Sequence, residues 1–194
     1  MAYSDGTRRV KVINLSLGGA SASETAHRAI QRAAAAGIVV VAASGNDGEA
    51  SVNFPAAFPE VIGVGATDFR KVRAVYSNYG PELSVVAPGG DVDRDDNNDG
   101  DPDGILQQTL VVESVAAGRY DDFAYYYFDG TSSATPHVSA MAALMVSQGI
   151  TDATAVRKAI ESTAEDLGSP GRDDEYGHGF IRPVEALTGL GLNQ

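Results

Sequence analysis

Two segments of the chain place polar side chains where a reactive group belongs, and a third has the pattern of an ion-binding loop. The first is Gly130-Thr131-Ser132-Ser133-Ala134-Thr135-Pro136-His137-Val138. A hydroxyl nucleophile needs an exposed oxygen beside free backbone N–H groups, and a helix N-terminus supplies both, with the positive end of the dipole. Gly130 permits a tight turn and close approach of a substrate. Pro136 is expected within the first turn, where no backbone donor is required. The second segment is Ser44-Gly45-Asn46-Asp47-Gly48, just past an apolar strand. An amide there can be aimed into a cleft at the carboxyl edge of a parallel sheet, where open α/β sheets bind ligands. Each feature has a plainer reading: a serine before a helix is commonly an N-cap, and an asparagine between glycines is commonly a turn residue.

The third segment is Asp95-Asp96-Asn97-Asn98-Asp99-Gly100-Asp101-Pro102-Asp103. Alternating oxygen donors followed by a glycine at the sixth position suit Ca²⁺. In that register Asp95, Asn97 and Asp99 offer side-chain oxygens, Asp101 a backbone carbonyl, and Asp103 a direct or water-mediated ligand. The twelfth position is Leu106 rather than a bidentate glutamate, so the pattern is incomplete. The alternative is a solvated acidic loop. Residues 88–104 hold seven aspartates against one arginine, a repulsion that a bound cation would relieve.

The elements needed to position these groups are legible around them. Val10 to Leu17 and Ile38 to Ala43 read as buried strands, joined by a helix ending near Ala36. Ser21 and Glu24 have capping-box spacing, and Gly37 is the expected residue after the helix. Strand, helix and strand of these lengths imply a parallel sheet. Val61–Ala66 and Leu83–Ala87 continue it. Residues 105–128 read as a pair of strands. Helices are expected from near Ser132 to Gln148, over about Asp152–Thr163, and from Pro183 to Leu187. With 43% hydrophobic and 21% charged residues, the 194-residue chain has the composition of one globular domain. Its net charge of −12 argues against nucleic-acid binding. No run approaches the roughly 18 apolar residues of a membrane span. Met1 to Val10 do not form a signal peptide, so the protein is either cytoplasmic or its targeting segment is missing. No cysteine is present, which excludes disulfides and thiolate metal sites.

Five ordered blocks resemble the subtilisin family. Val12-Ile13-Asn14-Leu15-Ser16-Leu17-Gly18-Gly19 resembles its substrate-binding strand, Val39 to Gly48 its oxyanion-hole segment, and Phe54 to Ala66 the wall of its specificity pocket. Gly130 to Val138 resembles its nucleophile motif, and Tyr176-Gly177-His178-Gly179-Phe180-Ile181 its C-terminal turn. The resemblance implies an α/β fold with a three-layer arrangement, a parallel sheet between helices, lacking the family's N-terminal strands. Residues 1–194 would form a partial peptidase domain with an acidic insertion at about 88–104. It also implies a serine endopeptidase acting on polypeptides through an acyl-enzyme. Ser132 is then the nucleophile and the Asn46 amide an oxyanion donor. Ser16, Leu17 and Gly18 would pair with the substrate backbone. Ala43, Ser44 and Gly45 would line the pocket for the residue before the scissile bond, with Asn53 at its floor, where a polar amide hints at something other than large apolar groups.

The family's D-[ST]-G and H-G-T-H segments, which carry the catalytic Asp and His, do not occur in the chain. His137, five residues after Ser132, is rotated by about 140° from it on a helix. His27 is expected in solvent and His178 in a glycine-flanked turn. The chain alone is therefore expected to be inactive: a truncated protease, one half of a split protease, or a degenerate homologue. The alternative function is a non-catalytic, calcium-binding pseudoprotease or binding module. Its expected partners are a polypeptide substrate and either the missing N-terminal segment or further copies of itself, because an uncovered sheet edge favours association. The family resemblance implies an exported full-length protein.

Overall fold

The computed structural model describes residues 10–188. Four parallel strands form its centre: β1 (Val12–Leu15), β2 (Val39–Ala43), β3 (Val61–Thr67) and β4 (Val85–Pro88), in that spatial order. The helix α1 (Glu24–Ala35) connects β1 to β2. An antiparallel hairpin follows, β5 (Ile105–Leu110) and β6 (Phe123–Phe128), with a short helix α2 (Val112–Ala116) between its strands. The chain then runs through α3 (Thr131–Ser147), α4 (Ala153–Thr163) and α5 (Pro183–Thr188).

The alternation along β2 explains the layers. Val39 and Val41 join a core with Ala134, Val138, Met141 and Met145 of α3, Val156 and Ile160 of α4, and Ala186 of α5. Val40 and Ala42 face a second core with Ile30 of α1, Phe58 and Leu83. Every β2 residue is buried, as expected of a parallel sheet covered on both faces. The α/β fold with helices on both faces of a parallel sheet thus has its physical cause in this two-sided burial.

Several local expectations need correction. Ser23, not Ser21, caps α1, and its hydroxyl accepts the Ala26 N–H at 3.3 Å; Glu24 is consequently the first helical residue and cannot close a capping box. Helix α2 has no apolar periodicity long enough to announce it. Pro136 lies beyond the first turn of α3. Its missing N–H leaves the Ser132 carbonyl without a helical donor, and the Ser16 hydroxyl supplies one instead at 2.7 Å. His27 is partly buried rather than fully solvated. Its ring stacks on Phe58 at 4.0 Å and meets Glu60 at 3.0 Å.

Helix α3 spans the sheet with one buried and one open side. Truncating Met141 (1% exposed) to alanine is expected to cost about 2–5 kcal/mol in chemical denaturation. Truncating Leu144 (48% exposed) is expected to cost less than about 1 kcal/mol. Equal losses would contradict this orientation of the helix.

Candidate active site

The end of β2 and the start of α3 meet at the carboxyl edge of the sheet. Asn46 is fixed by its oxygen: Oδ1 accepts the Thr131 N–H at 2.9 Å and the Thr131 hydroxyl at 2.7 Å. Spending the oxygen this way leaves the Nδ2 donors available to the cleft. A Cβ placed on Gly130 would lie 3.0 Å from Ser132 Oγ and 3.3 Å from Asn46 Nδ2. The hydroxyl and the amide nitrogen thus flank one point. Gly130 has φ 132°, a backbone region open to glycine and rarely to other residues.

A relay of hydrogen bonds clamps the end of β1 to α3. Ser139 Oγ donates to Asn14 Oδ1 at 2.8 Å, Asn14 Nδ2 donates to Ser16 Oγ at 2.9 Å, and Ser16 Oγ donates to the Ser132 carbonyl. On the other side, Tyr76 bridges two glycines. Its hydroxyl donates to the Gly90 carbonyl at 2.7 Å and accepts the Gly130 N–H at 3.0 Å. Burial, with Asp129, Asp91 and Asp68 nearby, pushes this phenol well above its ordinary range, so it stays a neutral donor. The helix start is therefore held from both sides.

Ser16, Leu17, Gly18, Ala43, Gly45, Asn46, Asn53 and Ser132 all line one cleft of about 210 Å³. Ser44 does not. Its side chain is fully buried and donates to the Asn78 carbonyl at 2.9 Å. Gly18 and Asn53 line this cleft, and the residues that follow them tie the two segments together. Gly19 and Phe54 exchange two backbone hydrogen bonds at 2.9 Å. Gly45 is needed where it stands: a Cβ there would come within 2.4 Å of the amide nitrogens of both Asn53 and Asn78.

None of the three histidines bonds to Ser132. His137 Nδ1 meets the Ser133 carbonyl at 3.0 Å, His27 meets Glu60, and His178 Nε2 lies 3.8 Å from Glu161. Among the described residues the Ser132 hydroxyl has no hydrogen-bond partner.

The acidic loop closes on itself, with Asp91 N–H donating to the Asp103 carbonyl at 3.0 Å. The Asp99 N–H is shared by Asp95 Oδ1 at 3.2 Å and Asn97 Oδ1 at 2.9 Å, while Asp101 N–H donates to Asp99 Oδ1 at 2.9 Å. Asp103 Oδ2 accepts the Asp96 N–H. Asp96 itself is held by Arg94 and Arg70. Asp99 and Asp101, after burial, help to raise the Tyr127 hydroxyl above its usual range. The donor set is all hard oxygen, which suits Ca²⁺. Among the described residues, no three His, Cys, Asp or Glu side chains gather into a metal-holding group.

Three residues of the site escaped the sequence reading. Thr131 lies inside the helix-start motif, but nothing in its type announces a bond to Asn46. Asp47 follows Asn46 between glycines, where an aspartate has the type of a turn residue; Tyr76 sits in an irregular stretch with no periodic signal.

A parallel α/β sheet carrying a serine and an anchored amide at its carboxyl edge defines the class. The comparisons then name the family. The subtilase family model (peptidase S8) matches residues 1–179. Subtilisin DY of Bacillus licheniformis is 40% identical over 182 residues, which cover 91% of this chain and 56% of that protein. Alkaline elastase YaB of a Bacillus species is 35% identical over 178 residues, covering 91% and 40%. A solved protease of Pseudoalteromonas arctica superposes with a TM-score of 0.79 at 33% identity, covering 96% of this chain and 52% of that one. The chain belongs to the subtilase family, and it spans about half the length of the relatives it matches.

Replacing Tyr76 with phenylalanine removes the donor to Gly90. Equilibrium denaturation is expected to show a loss of about 1–3 kcal/mol. An unchanged midpoint would remove Tyr76 from the account of how the helix start is held.

Proposed function

We propose that this chain is the C-terminal portion of a serine endopeptidase that hydrolyses peptide bonds through an acyl-enzyme on Ser132. The observation that carries the reading is the shared position of Ser132 Oγ and Asn46 Nδ2 around Gly130, with Asn46 locked through its oxygen to Thr131. In this reading the Ser132 oxygen attacks the scissile carbonyl carbon. The developing oxyanion accepts hydrogen bonds from Asn46 Nδ2 and the Ser132 backbone N–H, which matter most where charge forms. Ser16, Leu17 and Gly18 lie beside the cleft where an extended substrate would add as a strand. The base that takes the serine proton comes from outside residues 10–188, since His27, His137 and His178 are engaged elsewhere. The chain by itself is thus inactive. Export of the whole protein belongs to this proposal and rests on the family resemblance.

A second reading is favoured by the unpartnered Ser132 hydroxyl: a non-catalytic module that binds polypeptide without cleaving it. Labelling with a fluorophosphonate separates the two. Once the chain is joined to an upstream portion bearing the Asp and His segments, Ser132 is expected to be labelled and the Ser132→Ala variant to stay unlabelled. No labelling of the joined protein would leave only the binding module. Labelling of the isolated chain would contradict the need for an outside base.

The acidic loop is proposed to hold Ca²⁺ through Asp95, Asn97, Asp99, Asp101 and Asp103. What supports it is the alternation of oxygen donors and the convergence of Asp95 and Asn97 on one N–H. Calcium is expected to raise the melting temperature, chelator to lower it, and Asp95→Asn with Asp99→Asn to abolish both shifts. A melting temperature indifferent to calcium and chelator would end the proposal.

A further inference from the structure

Ser139 lies on the buried side of α3, 9% exposed, and its hydroxyl donates to Asn14 Oδ1 at 2.8 Å. A serine or threonine inside a helix commonly donates back to the carbonyl four residues earlier, as Thr135 does to Thr131 at 2.7 Å. Ser139 reaches across to β1 instead. Two periodicities bring the partners together. Seven residues are close to two helical turns, so Ser139 returns to nearly the same side of α3 as Ser132, about 10 Å along the axis. In an extended strand alternate residues share a face. Val12 packs into the core formed by α3 while Leu15 packs into the opposite one, so Asn14 and Ser16 turn toward α3 with Val12.

The bonds that follow run in one direction. Asn14 carries an acceptor at one end of its amide and donors at the other. Ser139 holds the acceptor end, so Nδ2 faces Ser16 and donates to its oxygen at 2.9 Å. The single Ser16 proton is then left for the Ser132 carbonyl at 2.7 Å, the group that Pro136 deprives of a helical donor. Asn14 is exposed, and no other group among the described residues bonds its side-chain amide. Without the Ser139 hydroxyl the amide is free to turn over, with Nδ2 in solvent and Oδ1 toward Ser16. Two acceptors then compete for one hydroxyl proton.

We infer that Ser139 is a positioning residue for Ser132. It acts through Asn14 and Ser16 from two turns away, and it keeps the strand end at Ser16 joined to the residue that carries the nucleophile. The inference rests on the proposed reading of Ser132 as a nucleophile beside a substrate-binding strand. It adds a residue outside the cleft to those that align the two.

Ser132-Ser133 is the one Ser–Ser pair in the sequence. Serine labelled with ¹³C at the carbonyl and with ¹⁵N therefore isolates the Ser132 carbonyl in a triple-resonance spectrum of the chain. Loss of a hydrogen bond moves a carbonyl carbon upfield. Ser16→Ala and Ser139→Ala are both expected to move it upfield, and Ser139→Thr, which restores the hydroxyl, to leave it at the parent position. An unmoved carbonyl in Ser139→Ala, or a Ser139→Thr carbonyl displaced as far as that of Ser139→Ala, would overturn the inference. In the chain joined to an upstream portion bearing the Asp and His segments, fluorophosphonate labelling of Ser132 is expected to slow about two- to tenfold in Ser139→Ala, the range for one neutral hydrogen bond, and to recover in Ser139→Thr. Labelling of Ser139→Ala at the parent rate would also overturn it. If neither parent nor variant takes the label, the protease reading fails, while the carbonyl position still decides whether Ser139 directs the bond to Ser132.

Discussion

The bond from Thr131 to Asn46 is the constraint on which the site depends. One residue of the helix start offers both its N–H and its hydroxyl to a single amide oxygen. This couples the loop after β2 to the first turn of α3, two pieces of chain 85 residues apart. It also settles which end of the amide is spent. With the oxygen occupied, the nitrogen faces the cleft, and the orientation needs no reorganisation when a carbonyl arrives. Preorganised donors of this kind are worth more than flexible ones because their ordering is already complete before reaction.

The rest of the fold keeps that contact in register. Two-sided burial of β2 fixes the strand whose end carries Asn46, and the buried face of α3 fixes the helix whose start carries Thr131 and Ser132. Pro136 interrupts the helical ladder one turn in, and the vacancy at the Ser132 carbonyl is filled by Ser16, the residue after β1. A residue that would weaken an isolated helix thus ties a third element to the site. Thr135 and His137 meet the Thr131 and Ser133 carbonyls at 2.7 and 3.0 Å, completing the polar groups around the same interruption.

Much of this was readable from residue order. The apolar runs gave the strands, and Gly37 the end of α1, because burial and backbone freedom act locally. The helix-start serine and the post-strand asparagine were visible for the same reason. What sequence could not supply were contacts set by tertiary packing. Ser44 is held inward by the Asn78 carbonyl, 34 residues further along the chain, whereas the motif suggested a lining role. The stacking of His27 on Phe58 joins segments far apart in the chain, so the residue looked solvated. Tyr76 and Asn78 stabilise the site from an irregular stretch whose conformation has no periodic signature. In the acidic loop the donor pattern was plain, but the present geometry directs several carboxylates to backbone N–H groups.

The most direct measurement of the central contact is a crystal structure of the chain with a product peptide bearing a free C-terminal carboxylate. The account predicts one carboxylate oxygen at about 2.7–3.1 Å from Asn46 Nδ2, beside Ser132, with both Thr131 bonds to Asn46 Oδ1 intact. A peptide bound elsewhere, or an Asn46 amide rotated away from Thr131 to meet it, would contradict the account.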